Sequence, residues 1–188
     1  MTEISPMGSE EVIRLEHITK RYGGVTALND VSFSIDKGEV HAVVGENGAG
    51  KSTMMKILSG IVQADEGKVF IDGQEARISN PLASEKLGIS MVFQELNLFE
   101  ALPVSANIFI NQELQRGSFL DEKAMRAEAK TVLQSLMVDI DPDEKVENLS
   151  TGQRQIVEIA RATHRGTKVV IMHEPNSALN DEETKVLF

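Results

Sequence analysis

Gly45-Glu46-Asn47-Gly48-Ala49-Gly50-Lys51-Ser52, followed by Thr53, is the stretch on which the fold turns. Every fixed position fits G-x-x-x-x-G-K-[ST], the pattern of a phosphate-cradling loop. Glycines let the backbone curl until successive N–H groups point at one spot. Lys51 adds a point charge for terminal phosphates, and Ser52 Oγ is a hard oxygen suited to Mg²⁺. The flanks agree with the pattern. The apolar run at 40–44 predicts a buried parallel strand before the loop. Met54, Met55, Ile57 and Leu58 predict a helix after it, ending at Gly60.

Working outward, residues 12–18 alternate apolar and polar and predict a strand, closed by the turn Tyr22-Gly23-Gly24. Residues 31–35 predict a second strand with Val31, Phe33 and Ile35 on one face, and Asp36-Lys37-Gly38-Glu39 a tight turn. Residues 68–71 with Asp72-Gly73 predict a strand and its turn, and 89–93 a buried strand. The character then changes. From 103 to 148 the pattern is helical: Met125, Ala129, Val132, Leu133 and Leu136 share one face. Asp121 and Glu122 stand where a helix start favours acids, and Asp141-Pro142-Asp143 breaks the pattern. A helix is expected over 151–163 and a buried strand over 168–172. Strands, a phosphate loop, a helix, more strands, a helical block and a further strand make an α/β domain with a helical insertion. Its expected bounds are 11–188, with the insertion at 103–150.

The chain has 188 residues, 19 basic and 29 acidic, for a net charge of −10. This argues against a protein whose main task is to coat nucleic acid. It leaves room for a local anion site built from backbone N–H groups. Cysteine is absent, so disulfides and thiolate metal sites are excluded. The apolar runs are far shorter than the ~20 residues of a spanning helix. Residues 1–10 have neither a basic start nor an apolar core, so a short disordered leader is expected rather than a secretory signal.

Two further motifs carry chemistry. Leu149-Ser150-Thr151-Gly152-Gln153 opens the late helix with good N-cap residues, and its N-terminus is a second anion site. Taken alone it reads as a capped helix. The 168–172 strand runs into His173-Glu174-Pro175. In phosphate-loop enzymes such a strand end supplies acids for Mg²⁺ and water, and Glu174 is placed to polarise an attacking water.

Together these motifs resemble the nucleotide-binding subunit of ABC transporters, from residue 12 to the end. The resemblance implies a P-loop ATPase core with an N-terminal antiparallel β part and an inserted α-helical subdomain. It also implies bound ATP and Mg²⁺. Tyr22 looks like the aromatic that stacks on adenine. Gly45, Glu46, Asn47, Gly48, Ala49, Gly50, Lys51, Ser52 and Thr53 hold the phosphates. Gln94 looks like the glutamine that senses Mg²⁺ and the membrane partner, so Ser52 and Gln94 are the metal candidates and Glu174 and Gln94 the catalytic ones. Ser150, Gly152 and Gln153 belong to the signature that closes over the ATP of a partner. A second such domain in a head-to-tail dimer is thus implied, with transmembrane permease subunits docking near 94–110. The wording of Phe93-Gln94-Glu95-Leu96 and Ser150-Thr151-Gly152-Gln153-Arg154-Gln155 is similar to importers of ribose, xylose and galactosides. A periplasmic or extracellular sugar-binding protein would then be an indirect partner. The chain would lie on the cytoplasmic face of the membrane, and nucleic acid is not an expected partner.

Some positions depart from that resemblance. His173 stands where the family has Asp, Asn176 where Thr is frequent, and Asn180 where the stretch Ser177-Ala178-Leu179-Asn180 usually ends in Asp. The family continues past Phe188 with a strand carrying a switch histidine, so a chain cut short in its C-terminal core is expected. Neutral imidazole suits softer metals than Mg²⁺, so a binding module without turnover is a second reading. A non-transport ATPase of the same superfamily is a third, against which the acidic balance weighs. His17, His41 and His164 have no ligand-like spacing and read as structural or surface residues.

Overall fold

The computed structural model describes residues 10–93, 96–164 and 166–172. They belong to two compact units, Met1–Ser90 and Met91–Phe188.

The first unit is built on β1 (Glu11–Tyr22), β2 (Val25–Asp36), α1 (Lys51–Leu58), β3 (Glu66–Ile71), β4 (Gln74–Ala76) and α2 (Pro81–Lys86). The strands form one antiparallel sheet in the order β2-β1-β3-β4. Both first strands run further than their alternation predicts, because the Gly23-Gly24 turn lets them pair right up to Tyr22 and Val25. Ile13, Leu15 and Ile18 of β1 are fully buried, and Val69 and Ile71 of β3 and Met54, Ile57 and Leu58 of α1 are buried. The inward pattern of β1 changes phase after Leu15, where its register against β2 shifts. His17 (φ 54°) and Asp30 (φ 53°) both take the left-handed conformation there, as bulged residues do. Their side chains meet, Nδ1 to Oδ1, at 2.6 Å.

Residues 40–44 do not form the buried strand that their composition predicts. No strand is present over 39–46, and Val40 and Val44 are 73 % and 91 % exposed. A parallel strand is held by ladder partners on its edges and cover on both faces. No described strand of this unit pairs with 40–44, so apolar character alone does not order it as a strand.

β5 (Ile89–Val92) lies at the boundary between the units. The second unit continues with α3 (Val104–Ile108), β6 (Gln115–Arg116), β7 (Phe119–Leu120), α4 (Glu122–Ser135), a 3-10 turn at Val146–Asn148, α5 (Thr151–Thr163) and β8 (Val169–Met172), which is hydrogen-bonded to β5. Val104, Ile108 and Phe109 pack with Met125, Ala129 and Leu133 of α4 and with Val157 and Ala160 of α5. The predicted face of α4 is thus the buried one, with Val132 and Leu136 at its edge. Asp121 caps that helix, its carboxylate accepting from the Ala124 N–H at 3.0 Å. The block at 103–148 is less helical than predicted. Gly117 (φ 68°) turns a small hairpin, β6–β7, between α3 and α4. In β8 only Ile171 is buried and its neighbours are half-buried; among the described residues β5 is the strand paired with it.

Candidate functional site

In the first unit the 45–52 loop delivers the chain into α1 through two glycines in the left-handed region. Gly48 and Gly50 have φ of 88° and 90°, the left-handed region that costs other residues energy. A Cβ on Gly50 would stand 2.3 Å from the Ala27 carbonyl oxygen and 2.7 Å from Leu28 Cδ2. The loop is therefore pressed onto β2 at Gly50. Gly50 is also the N-cap of α1 and gives the first turn no side-chain cap, and an uncapped helix start of this kind is suited to an anion. No acidic residue lies in that turn. Lys51 Nζ donates back to the Gly45 and Glu46 carbonyl oxygens at 2.5 and 2.9 Å, which holds its charge beside the loop backbone. Ser52 is exposed, while Lys51 and Thr53 are half-buried. Asn47, Gly48 and Ala49 form the outer turn, closed by the Ala49 N–H donating to Glu46 O at 3.1 Å.

Tyr22 ends β1 in the same unit, 46 % exposed. Lys20 Nζ lies over its ring, 5.4 Å from the centroid. His41 stacks on Phe33 and bonds Glu39 at 2.8 Å. The Asp36 N–H, and after it His41, hold the Glu39 carboxyl below the ordinary carboxylate range.

The signature lies in the second unit and is a complete capping box. Ser150 Oγ accepts from the Gln153 N–H at 3.2 Å, and Gln153 Oε1 accepts from the Ser150 N–H at 3.0 Å. The reciprocal bonds fix the first turn of α5. Ser150 is exposed and Gly152 buried. Arg154 braces the approach, donating to the Leu149 and Glu147 carbonyl oxygens and to the Glu100 carboxylate. Gln94, Glu174, His173 and the 177–180 stretch lie outside the described residues, as do 1–9 of the expected leader.

Three residues that sequence reasoning passed over prove structurally central. Asn107 is fully buried. Its Oδ1 accepts from the Phe99 N–H at 2.7 Å, and its amide donates to the Phe99, Leu102 and Pro103 carbonyl oxygens. Glu158 is 3 % exposed, accepts from the Asn97 N–H at 2.7 Å and pairs with Arg161, which donates to Asn97 O. Both hold the backbone that follows Gln94. Glu158 had a legible signal, being an acid within the apolar run 156–160; Asn107 had none. Asp65 grips the end of β1 from a place 45 residues away from Lys20, a distance that no local spacing reveals.

The ABC transporter profile matches residues 28–177. The chain is 49 % identical over 177 residues to the putative ribose/galactose/methyl galactoside import ATP-binding protein 1 of Agrobacterium fabrum, covering 94 % of this chain and 35 % of that protein. It is 44 % identical over 178 residues to the xylose import ATP-binding protein XylG of Geobacillus kaustophilus, with the same coverage. The chain thus spans about a third of the length of the curated relatives it matches. Among solved structures it is similar to the ADP conformation of an ATP-binding cassette of an ABC transporter, with a TM-score of 0.80 at 29 % identity, covering 94 % of this chain and 74 % of that one. A dimeric bacterial ABC transporter cassette gives 0.75 at 30 %, covering 93 % and 79 %. The α/β fold is that of the ATP-binding cassettes, and by its sequence, from the phosphate loop through the capped signature helix, this chain belongs to the ABC transporter family.

Proposed function

We propose that this chain binds MgATP at its 45–52 loop and forms the ATP-binding part of a sugar importer of the ribose, xylose or galactoside class. The observation that carries this is the loop itself. Its two left-handed glycines, the helix start without a side-chain cap and the Lys51 ammonium held against the loop carbonyls support the reading of this segment as an anion site. The residues present fit the group: Gly50 has no room for a Cβ, the first-turn N–H groups of α1 suit phosphate oxygens, and Ser52 offers an exposed hydroxyl for Mg²⁺. Lys51 and the backbone of 45–50 would hold the β- and γ-phosphates, Thr53 would support them, and Tyr22 would carry the base. The chemistry that MgATP brings is transfer of its γ-phosphoryl group to water. Glu174 would orient that water as a base, with Gln94 beside the metal.

The relatives' names as import ATP-binding proteins support the transporter assignment. The cassette is read as 11–188 with its helical insertion at 103–150. Ser150, Gly152 and Gln153 would face the nucleotide of a second cassette in a head-to-tail dimer. Ser150 Oγ fits this, because its O–H is a donor still to be used once the oxygen has accepted from Gln153. Permease subunits would hold the chain at the cytoplasmic face of the membrane and link it to a sugar-binding protein. No helix among the described residues is long and apolar enough to cross a membrane.

Equilibrium binding of MgATP to the wild type and to Lys51→Ala tests the site. Loss of one charged donor to phosphate should weaken binding about tenfold or more; equal affinity contradicts the phosphate-loop assignment. A second reading, nucleotide binding without turnover, is favoured by His173 beside Glu174. Phosphate release well above the Lys51→Ala control contradicts that reading.

A further inference from the structure

Tyr22 stands at the end of a strand, beside a Gly-Gly turn, with half its surface in solvent. Such a ring needs something to fix its direction if it is to carry a base. The structure places that support in Asp65, which precedes β3. Its N–H donates to Thr19 O at 2.9 Å. Its Oδ1 accepts from Lys20 Nζ at 2.7 Å, and its Oδ2 accepts from the Arg21 N–H at 2.7 Å. One residue thus grips three successive residues of β1. It does so where the register of β1 against β2 shifts, between Ile18 and Lys20 and again between Lys20 and Arg21. Irregularities of this kind aim the side chains beyond them. Next along β3, Glu66 pairs with the Arg21 guanidinium at 2.6 Å.

Lys20 is the second part of the device. Its side chain is 14 % exposed, so the ammonium is held rather than solvated freely. The carboxylate of Asp65 fixes it with Nζ over the Tyr22 ring, 5.4 Å from the centroid. That is within the range in which a cation is attracted to an aromatic face. The Lys20 bond, and after it the Arg21 N–H, hold the Asp65 carboxyl below its ordinary range, so the clamp is charged at neutral pH.

We infer that Asp65 and Lys20 are positioning residues for the nucleobase: the clamp sets the direction of Tyr22 and keeps a cation on one face of its ring, presenting the ring to an adenine-type base. The inference rests on the reading of Tyr22 as the base platform. Holding the ring before binding lowers the ordering cost at binding. It should act on the base alone, because the phosphates are held by a different segment, the 45–52 loop.

The chain has one tyrosine and no tryptophan, so its fluorescence excited beyond the phenylalanine absorption band reports Tyr22 alone. The full chain is titrated with MgATP and with magnesium tripolyphosphate, as wild type, Asp65→Ala, Asp65→Glu and Lys20→Met. In the wild type MgATP should quench Tyr22 emission and tripolyphosphate should not. Asp65→Ala and Lys20→Met should weaken MgATP about two- to fivefold, the size of an exposed cation–ring contact. Tripolyphosphate affinity should stay at the wild-type value, and Asp65→Glu should recover part of the loss. Lys20→Met leaves the Asp65 bonds to Thr19 and Arg21 in place, so it keeps the test open if Asp65→Ala fails to fold. Equal loss of both ligands, or an unchanged MgATP affinity in both variants, overturns the positioning role. MgATP binding that leaves wild-type Tyr22 emission untouched instead removes Tyr22 as the platform, and the clamp's role with it.

Discussion

Replacing Gly50 by alanine separates two costs that this loop imposes. At φ 90° an alanine carries ~1–2 kcal/mol of left-handed strain. Its Cβ would also lie 2.3 Å from the Ala27 oxygen and 2.7 Å from Leu28 Cδ2. The nearest atom is backbone of β2, which cannot swing aside as a side-chain tip can, so overpacking adds ~1–3 kcal/mol. A stiffer unfolded chain returns ~0.4–1 kcal/mol. The net loss is ~1–5 kcal/mol, or ~3–15 °C in melting temperature for a chain of this size. Gly48→Ala is the matched control. Its φ is 88°, but nothing lies within 4 Å of the added Cβ, so only the strain remains. Thermal melts followed by circular dichroism should rank wild type above Gly48→Ala and Gly48→Ala above Gly50→Ala. Equal melting of the two variants would refute the argument that the loop is pressed onto β2.

Other consequences follow from the second unit and from the carboxylates. Asn107→Ala removes the partners of Phe99 N–H and of the carbonyls around it. At ~1–3 kcal/mol for each buried group left unsatisfied, a urea melt should show a loss of ~2 kcal/mol or more; a loss near zero means that the 99–103 loop is held otherwise. Ser150→Ala breaks half of the capping box and should cost ~1 kcal/mol, with faster amide exchange confined to the start of α5; unchanged exchange there contradicts the cap's role. Asp65 and Glu39 both have carboxyls held below their ordinary range. Their contribution is full at neutral pH and lost as pH falls through the depressed values. The melting difference between wild type and Asp65→Asn should therefore shrink in acid, and a difference independent of pH would contradict the Lys20–Asp65 clamp.

Much of this was legible because several local signals agreed. The start of the helix Thr151–Thr163 was readable because Ser150 and Thr151 are good N-cap residues, while the reciprocal bond from Gln153 is seen only in the structure. The stripe of α4 was readable because Met125, Ala129 and Leu133 recur at helical spacing. The run at 40–44 misled because a short apolar segment has no periodicity to show whether anything covers it. The β6–β7 hairpin escaped because two-residue strands carry almost no pattern, although Gly117 marks the turn. The phase change in β1 was hidden as well, because alternation assumes an unbroken pleat and His17 breaks it. At the site, the glycine-rich loop leading into α1 was plain from its own residues. The Asp65–Lys20–Tyr22 cluster is a tertiary meeting of β1 with the start of β3, and only the sheet pairing brings it together.

The most direct test of the account is a thermal melt of this chain with and without MgATP, alongside Lys51→Ala. A ligand that binds only the folded state adds ~2.7 kcal/mol at a hundredfold excess over its dissociation constant. The account predicts a cooperative melt that rises with MgATP in the wild type and rises distinctly less in Lys51→Ala at the same MgATP concentration. A wild-type melt indifferent to MgATP, or an equal rise in both proteins, would contradict the claim that the 45–52 loop is a nucleotide site.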